Sequence, residues 1–314
     1  MPWTTRSPVI SAARGWQAGL CALVFGLLSG PLMAESRPVV VTTFTILADM
    51  GREVAGDKAE VVSMIPAGAD VHEYAPTPRD IIQTRRADLV VWNGLGLERW
   101  FERFYQGMSS VPSAVLSDGV TPILLGEGRY QGKPNPHAWM APANAVIYVN
   151  NFRDALIDID PTNRDAYTRN AAQYVARIQA IDTTLKAQLA RIPASQRYLA
   201  TCEGAFSYLT TAYGFNELYL WAVNAEQEGS PQQVRHLVDA VRTKQVPVTF
   251  CESTVSDRAM RQVTRETGAR YGGVLYVDSL TSAEGQVPTY LALLAHNARA
   301  MAAGFGVEQN EVTP

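Results

Sequence analysis

The residue types able to do chemistry in this chain are few and sit in loops. Among its four histidines, two lie in turn-rich stretches. His72 is in Pro66-Ala-Gly-Ala-Asp-Val-His-Glu-Tyr-Ala-Pro-Thr-Pro78, and His137 is in Asn135-Pro-His-Ala-Trp-Met140. Two acids occupy comparable places further on: Glu203 follows the apolar run Arg197 to Thr201, and Asp278 follows Gly273 to Val277. Two neutral imidazoles and two carboxylates make a neutral complex with a divalent cation, which removes most of the cost of burying its charge. This donor set is harder than one of thiolates and suits manganese, ferrous iron or zinc. Carboxylates bind through one or both oxygens, so five- or six-coordination is within reach.

Each of these residues also has an ordinary reading. A lone loop histidine is commonly solvated or hydrogen-bonded. Glu203 would serve as an acid at a helix N-terminus, and Asp278 as a cap for the turn that follows it. Asp70, Glu73 and Glu252 compete for the carboxylate roles. His236 and His296 fall inside helical patterns, where surface or packing roles are expected.

The elements that must position the four residues are legible as short β-branched runs. Pro38 to Thr43, Ala59 to Ile65, Asp88 to Trp92 and Ala114 to Leu116 read as strands, with helix-like stretches after the first three. Their nearly continuous apolarity predicts parallel strands covered on both faces. Pro78 opens one intervening helix, with Thr77 as its cap. Arg197 to Thr201, Glu217 to Trp221, Val246 to Phe250 and Gly273 to Val277 repeat the pattern, separated by helices such as Gln232 to Arg242. Between the two sets, Pro142 to Ile157 reads as a helix. A longer helix runs from Pro161 to about Arg191, capped by Asp160 and spanning ~46 Å at ~1.5 Å per residue. The expected class is α/β, with two βα lobes joined by a long rigid helix. The lobes span 35–160 and 193–314, and the linking segment is 161–192. Open α/β sheets bind ligands beyond the carboxyl ends of their strands, which puts all four residues at one interlobe cleft.

A chain of 314 residues with 47% hydrophobic and 18% charged residues is ordinary for a globular protein. Residues 1–34 read as a signal peptide: Arg6 and Arg14 precede an uncharged, largely apolar run ending at Ala34. Export to the periplasm follows, with cleavage near Glu35. Leu20 before Cys21 argues against a lipoprotein signal there. The remaining chain has 25 basic and 30 acidic residues, net −5, which offers nucleic acid no attraction. Cys202 and Cys251 remain after cleavage, and an oxidising compartment would let them pair or leave them as two buried thiols.

The stretches Pro66 to Asp80, Asn135 to Met140, Thr201-Cys-Glu-Gly-Ala-Phe-Ser-Tyr208, Asn224-Ala-Glu-Gln-Glu-Gly-Ser-Pro231, Glu252-Ser-Thr-Val-Ser-Asp257 and Tyr271 to Leu280, in this order and spacing, carry a resemblance. The chain resembles the metal-binding solute-binding proteins of ABC importers, in their manganese and iron branch. That resemblance implies two lobes on one long helix and a four-ligand site at His72, His137, Glu203 and Asp278. It further implies a monomer that delivers its ion to a permease driven by a separate cytoplasmic ATPase. Zinc-specific relatives usually carry a histidine-rich loop ahead of the second ligand and a histidine at the third. Here Thr121 to Pro136 has no histidine and the third position is Glu203, which favours manganese or ferrous iron, with zinc as a competitor. The rival readings are a metal-dependent hydrolase with Glu73 or Glu252 as base, and a surface adhesin on the same fold. Protonation of the two imidazoles is expected to weaken the site as pH falls toward about 5.

Overall fold

In the computed structural model, which describes residues 37–106, 110–126, 128–224 and 229–307, the β-branched runs become two parallel sheets. β1 (Val39–Thr42), β2 (Glu60–Ser63), β3 (Leu89–Trp92) and β4 (Ser113–Val115) pair in the order β2-β1-β3-β4. β5 (Tyr198–Glu203), β6 (Asn216–Trp221), β7 (Val248–Glu252) and β8 (Arg270–Leu275) repeat it as β6-β5-β7-β8. Parallel neighbours need crossovers. In the first lobe these run through α1 (Thr45–Ala55), α2 (Pro78–Arg85) and α3 (Arg99–Gln106). In the second they run through α6 (Ser207–Tyr213), α7 (Pro231–Lys244) and α8 (Arg258–Thr267). The α/β two-lobe class expected from sequence is what is observed. The signal peptide expected over 1–34, and Cys21 within it, lie outside the described residues, as do residues 225–228 of the Asn224 to Pro231 stretch.

Two strand ends differ from expectation in ways that matter for the site. β5 runs on to Glu203, so this acid is the last residue of a strand and does not follow it. β8 starts at Arg270 and stops at Leu275, leaving Asp278 in the loop beyond. The glycine read as its start, Gly273, lies inside it, as does Gly272. A Cβ on Gly272 would stand 2.3 Å from the Phe250 ring, and Gly273 has φ +111, a conformation side chains rarely adopt.

Between the lobes, α4 (Pro142–Ile159) leads through a 3-10 turn, Pro161–Asn163, into α5 (Arg164–Leu189). The α-helical part is therefore 26 residues, which at ~1.5 Å each is ~39 Å. Asp160 holds the N-cap position of that 3-10 turn, as expected, but without a side-chain capping bond. Its carboxylate accepts from Asn163 Nδ2 at 2.8 Å and the Tyr167 hydroxyl at 2.6 Å. Along α5 the buried residues Tyr167, Ala171, Tyr174, Ile178, Ile181, Leu185 and Gln188 recur at alternating steps of four and three, a single stripe down one face. That stripe packs on α1, α4 and α9 (Tyr290–Gly304). One hydrophobic core runs through both lobes, from Val40 and Val91 to Leu199 and Val248. Among the described residues no helix is long and apolar enough to cross a membrane.

Cys202 and Cys251 form a disulfide. It lies beyond the β5/β7 register at Ala200 and Thr249, and β7 shifts its register against β8 between Thr249 and Cys251. The bond links β5 to β7 one residue before Glu203 and Glu252. Cross-linking residues 49 apart removes denatured-state entropy worth about 4 kcal/mol in the chain-entropy treatment. The double variant C202S/C251S is expected to lose up to this much stability, measured by chemical denaturation at matched ionic strength. An unchanged midpoint would show that the cross-link does not stabilise the fold.

Candidate metal centre

His72 is held by its own loop. The Asp70 carboxylate accepts its N–H at 2.7 Å, and Trp100 Nε1 donates to Val71 O at 2.9 Å. Downstream, Thr77 and Asp80 form a reciprocal capping box at the start of α2, and Asp80 also takes the Tyr74 hydroxyl. Both ends of the loop are thereby anchored. Gly68 N–H adds a bond to Ser279 Oγ of the second lobe at 2.7 Å.

His137 precedes a short 3-10 turn, Ala138–Met140, and is fully buried. Asn135 Nδ2 donates to Gly204 O and Ser207 Oγ, so its Oδ1 faces His137 Nδ1 at 2.8 Å as an acceptor. The ring proton must then sit on Nδ1, and the Nε2 lone pair is left for the cluster. Sequence reading assigned Asn135 no role, although an amide two residues before a histidine is a signal of this kind.

The two acids arrive from the second lobe, Glu203 at the carboxyl end of β5 and Asp278 in the loop after β8. His72 Nε2 lies 3.2 Å from His137 Nε2, 3.3 Å from Glu203 Oε1 and 3.9 Å from Asp278 Oδ2. His137 Nε2 lies 3.6 Å from Glu203 Oε1 and 3.5 Å from Asp278 Oδ1. One donor atom from each of the four falls within 4.8 Å of all the others. Donors ~2.1 Å from a common ion lie about 3.0 to 3.4 Å apart at octahedral to tetrahedral angles. The cluster thus has close to the dimensions of a coordination shell. Glu203 Oε2 and Asp278 Oδ1 are buried with no hydrogen-bond partner among the described residues, an arrangement that costs free energy unless a cation satisfies them.

The competitors fall elsewhere. Asp70 is a half-step removed, bonded to His72 N–H and to Asn224. Glu252 ends β7 beside Glu203 and accepts its backbone N–H at 3.1 Å. Glu73 is exposed, as is His236 on α7, while His296 on α9 is half-buried with Nε2 against Val274 O at 3.0 Å.

Burial sets the proton inventory. It pushes His137 down to about 3 and lowers His72, with the neighbouring Asp278 charge opposing. It raises Asp278, and raises Glu203 well above the carboxylate range with help from Asp278 and Glu252. Acid sensitivity therefore belongs to the carboxylates and not, as expected from sequence, to the imidazoles. A cation must displace protons from the acids. Binding at neutral pH is expected to release protons, read as a dependence of calorimetric heat on buffer ionisation enthalpy; heats independent of buffer would contradict it.

A stability effect follows for the metal-free protein. Burial raises Glu98 and Glu217 to about 7 and Glu252 to about 8. Acids with raised folded values stabilise while protonated and lose that contribution as pH rises through those values. The lowered imidazoles act oppositely, but only below their ordinary 6.5. From pH 6.5 to about 8 the metal-free melting temperature is expected to fall, as followed by scanning calorimetry; a rise across that window would refute the assignment.

Comparison with known proteins agrees with this architecture. The family model for the periplasmic zinc-uptake complex component A, ZnuA, matches residues 40–304. The iron-binding protein YfeA of Yersinia pestis is 52% identical over 287 residues, covering 89% of this chain and 92% of its own. The manganese ABC transporter substrate-binding lipoprotein PsaA of Streptococcus pneumoniae is 36% identical, covering 90% and 96%. Among solved structures, a manganese-bound periplasmic metal-binding protein from Candidatus Liberibacter asiaticus superimposes with a TM-score of 0.80 at 37% identity, over 86% of this chain and 100% of that one.

Proposed function

The chain belongs to the family of metal-binding substrate-binding proteins of ABC transporters, and from that premise we propose that it captures one divalent transition-metal ion with His72, His137, Glu203 and Asp278 and delivers it to a membrane permease. The observation that carries this reading is the convergence of four buried donor groups from four separate segments, within 4.8 Å of one another. The family consists of transport components, not enzymes. The hydrolase alternative finds no support, because Glu73 is exposed and Glu252 is engaged with the Glu203 backbone.

Manganese or ferrous iron is the favoured cargo and zinc a competitor. Two imidazoles with two carboxylates offer up to six donor atoms, which suits ions that prefer more than the four ligands zinc accepts. The iron-binding and manganese-transporting relatives point the same way. The reading includes an extracytoplasmic protein, exported to the periplasm by residues 1–34 and working as a monomer. Its lobes of 35–160 and 193–314 are joined by 161–192, and its permease is driven by a separate ATPase.

Titration of chelator-stripped protein with manganese, ferrous iron and zinc under calorimetry tests the proposal. Ion at a hundred times its Kd is expected to add about 2.7 kcal/mol of stability. Asp278→Ala is expected to fold normally and to lose most of that gain. Stability indifferent to all three ions, or full affinity in the variant, would overturn the ligand assignment.

A further inference from the structure

Asn224 lies beyond the end of β6 and is buried. Its backbone N–H donates to Glu203 Oε1 at 2.8 Å. Its side-chain Nδ2 donates to Asp70 Oδ2 at 2.9 Å and to Asp278 Oδ2 at 3.3 Å, while its Oδ1 accepts from Trp221 Nε1 at 2.9 Å. An indole N–H can only donate, so the amide orientation is fixed and its NH₂ must face the two aspartates. One residue thus touches both acids of the cluster. Through Asp70, whose other oxygen holds the His72 N–H, it also reaches the loop of the first lobe. We infer that Asn224 is a positioning residue that sets how many carboxylate oxygens the centre presents, and so discriminates manganese and ferrous iron from zinc. This rests on the ligand assignment proposed above.

Asn224 grips each carboxylate by one oxygen, Oε1 of Glu203 and Oδ2 of Asp278. The other oxygen of each, Glu203 Oε2 and Asp278 Oδ1, is buried and unpartnered among the described residues. A carboxylate oxygen that accepts one hydrogen bond keeps a second lone pair. Glu203 Oε1, held from outside by Asn224, remains 3.3 and 3.6 Å from the two imidazole Nε2 atoms. Asp278 Oδ2 also accepts from Thr254 Oγ1 at 3.5 Å, so Glu203 Oε1, Glu203 Oε2 and Asp278 Oδ1 are the oxygens left open to the ion, and with two imidazole nitrogens they supply five donors. Zinc is satisfied by four, so a reduced oxygen count harms it least.

Without Nδ2, the Asp278 carboxylate would keep, among the described residues, the one hydrogen bond from Thr254 Oγ1, at 3.5 Å. Rotation about its terminal torsion is soft. Asp70 and Asp278, which repel each other, would also lose the donor between them. Asp278 could then turn its open oxygen, Oδ1, away from the centre. A purely loop-closing role would need only the Trp221 contact and would leave metal preference untouched.

The test compares wild type, Asn224→Ala, Asn224→Ser and Asp70→Ala. Manganese and zinc affinities are measured by chelator competition, manganese-bound spectra by electron paramagnetic resonance, and melting temperature on metal-free protein. Loss of an outer contact typically costs 10- to 100-fold in affinity. Asn224→Ala is expected to lose about that much for manganese and roughly tenfold less for zinc, with an altered manganese spectrum. Asn224→Ser carries the measurement if the alanine variant does not fold. Asp70→Ala, which frees the His72 N–H and one side of the Asn224 amide but leaves the Asn224 bond to Asp278 in place, is expected to weaken both ions equally. Equal losses for both ions in the Asn224 variants, or no loss, would overturn the inference. Failure of the ligand assignment reads differently, as wild type that binds neither ion or as Asp278→Ala that binds like wild type.

Discussion

Two carboxylates and two imidazoles meet in a space from which water is excluded, and Glu203 and His137 have no exposed surface at all. Such a meeting is unfavourable by itself, since the acids repel and neither can be hydrated. The fold resolves the conflict by making neutral forms available: protons on the acids, a tautomer with its lone pair inward at His137, and hydrogen bonds from backbone and Asn224 on the outer oxygens. A dication held as proposed would resolve it better, because it would satisfy Glu203 Oε2 and Asp278 Oδ1, for which the described residues supply nothing.

Holding that arrangement requires the lobes to be fixed against each other. Trp139 Nε1 donates to Val277 O at 3.1 Å, and the Tyr290 hydroxyl donates back to Trp139 O. Leu280 N–H donates to Thr45 Oγ1 at 2.9 Å, and Tyr290 N–H reaches Asp49 on α1 at 2.8 Å. These bonds cross between segments distant in sequence, over a core shared by both lobes and backed by α5. The disulfide serves the same end on the second lobe, stapling β5 to β7 where both strands end in a buried acid.

The class of the fold and the identity of the four clustered residues were legible in the chain. β-branched runs followed by helical stretches dictate parallel sheets, and ligands gather beyond strand ends because side chains there are free to point at a common cleft. Thr77 before Pro78 announced the start of α2 for a local reason, and the capping box formed as read. The family resemblance selected Glu203 and Asp278 over Asp70 and Glu252, which composition alone left as equals.

What only the tertiary structure decided depends on distances between segments far apart in sequence. Whether Cys202 and Cys251 pair turns on the spacing of two strands, and their Cα atoms stand 4.9 Å apart. The true limits of β8 were hidden because Gly272 is small to admit the Phe250 ring, a neighbour from another strand. Asn224 opens one of the stretches that carry the resemblance but was given no role, since an asparagine after a strand looks like any turn residue until the carboxylates it touches are brought beside it. Sequence determined which donors the protein owns; folding determined their protonation and their outer partners, because desolvation and hydrogen-bond geometry exist only once the segments have met.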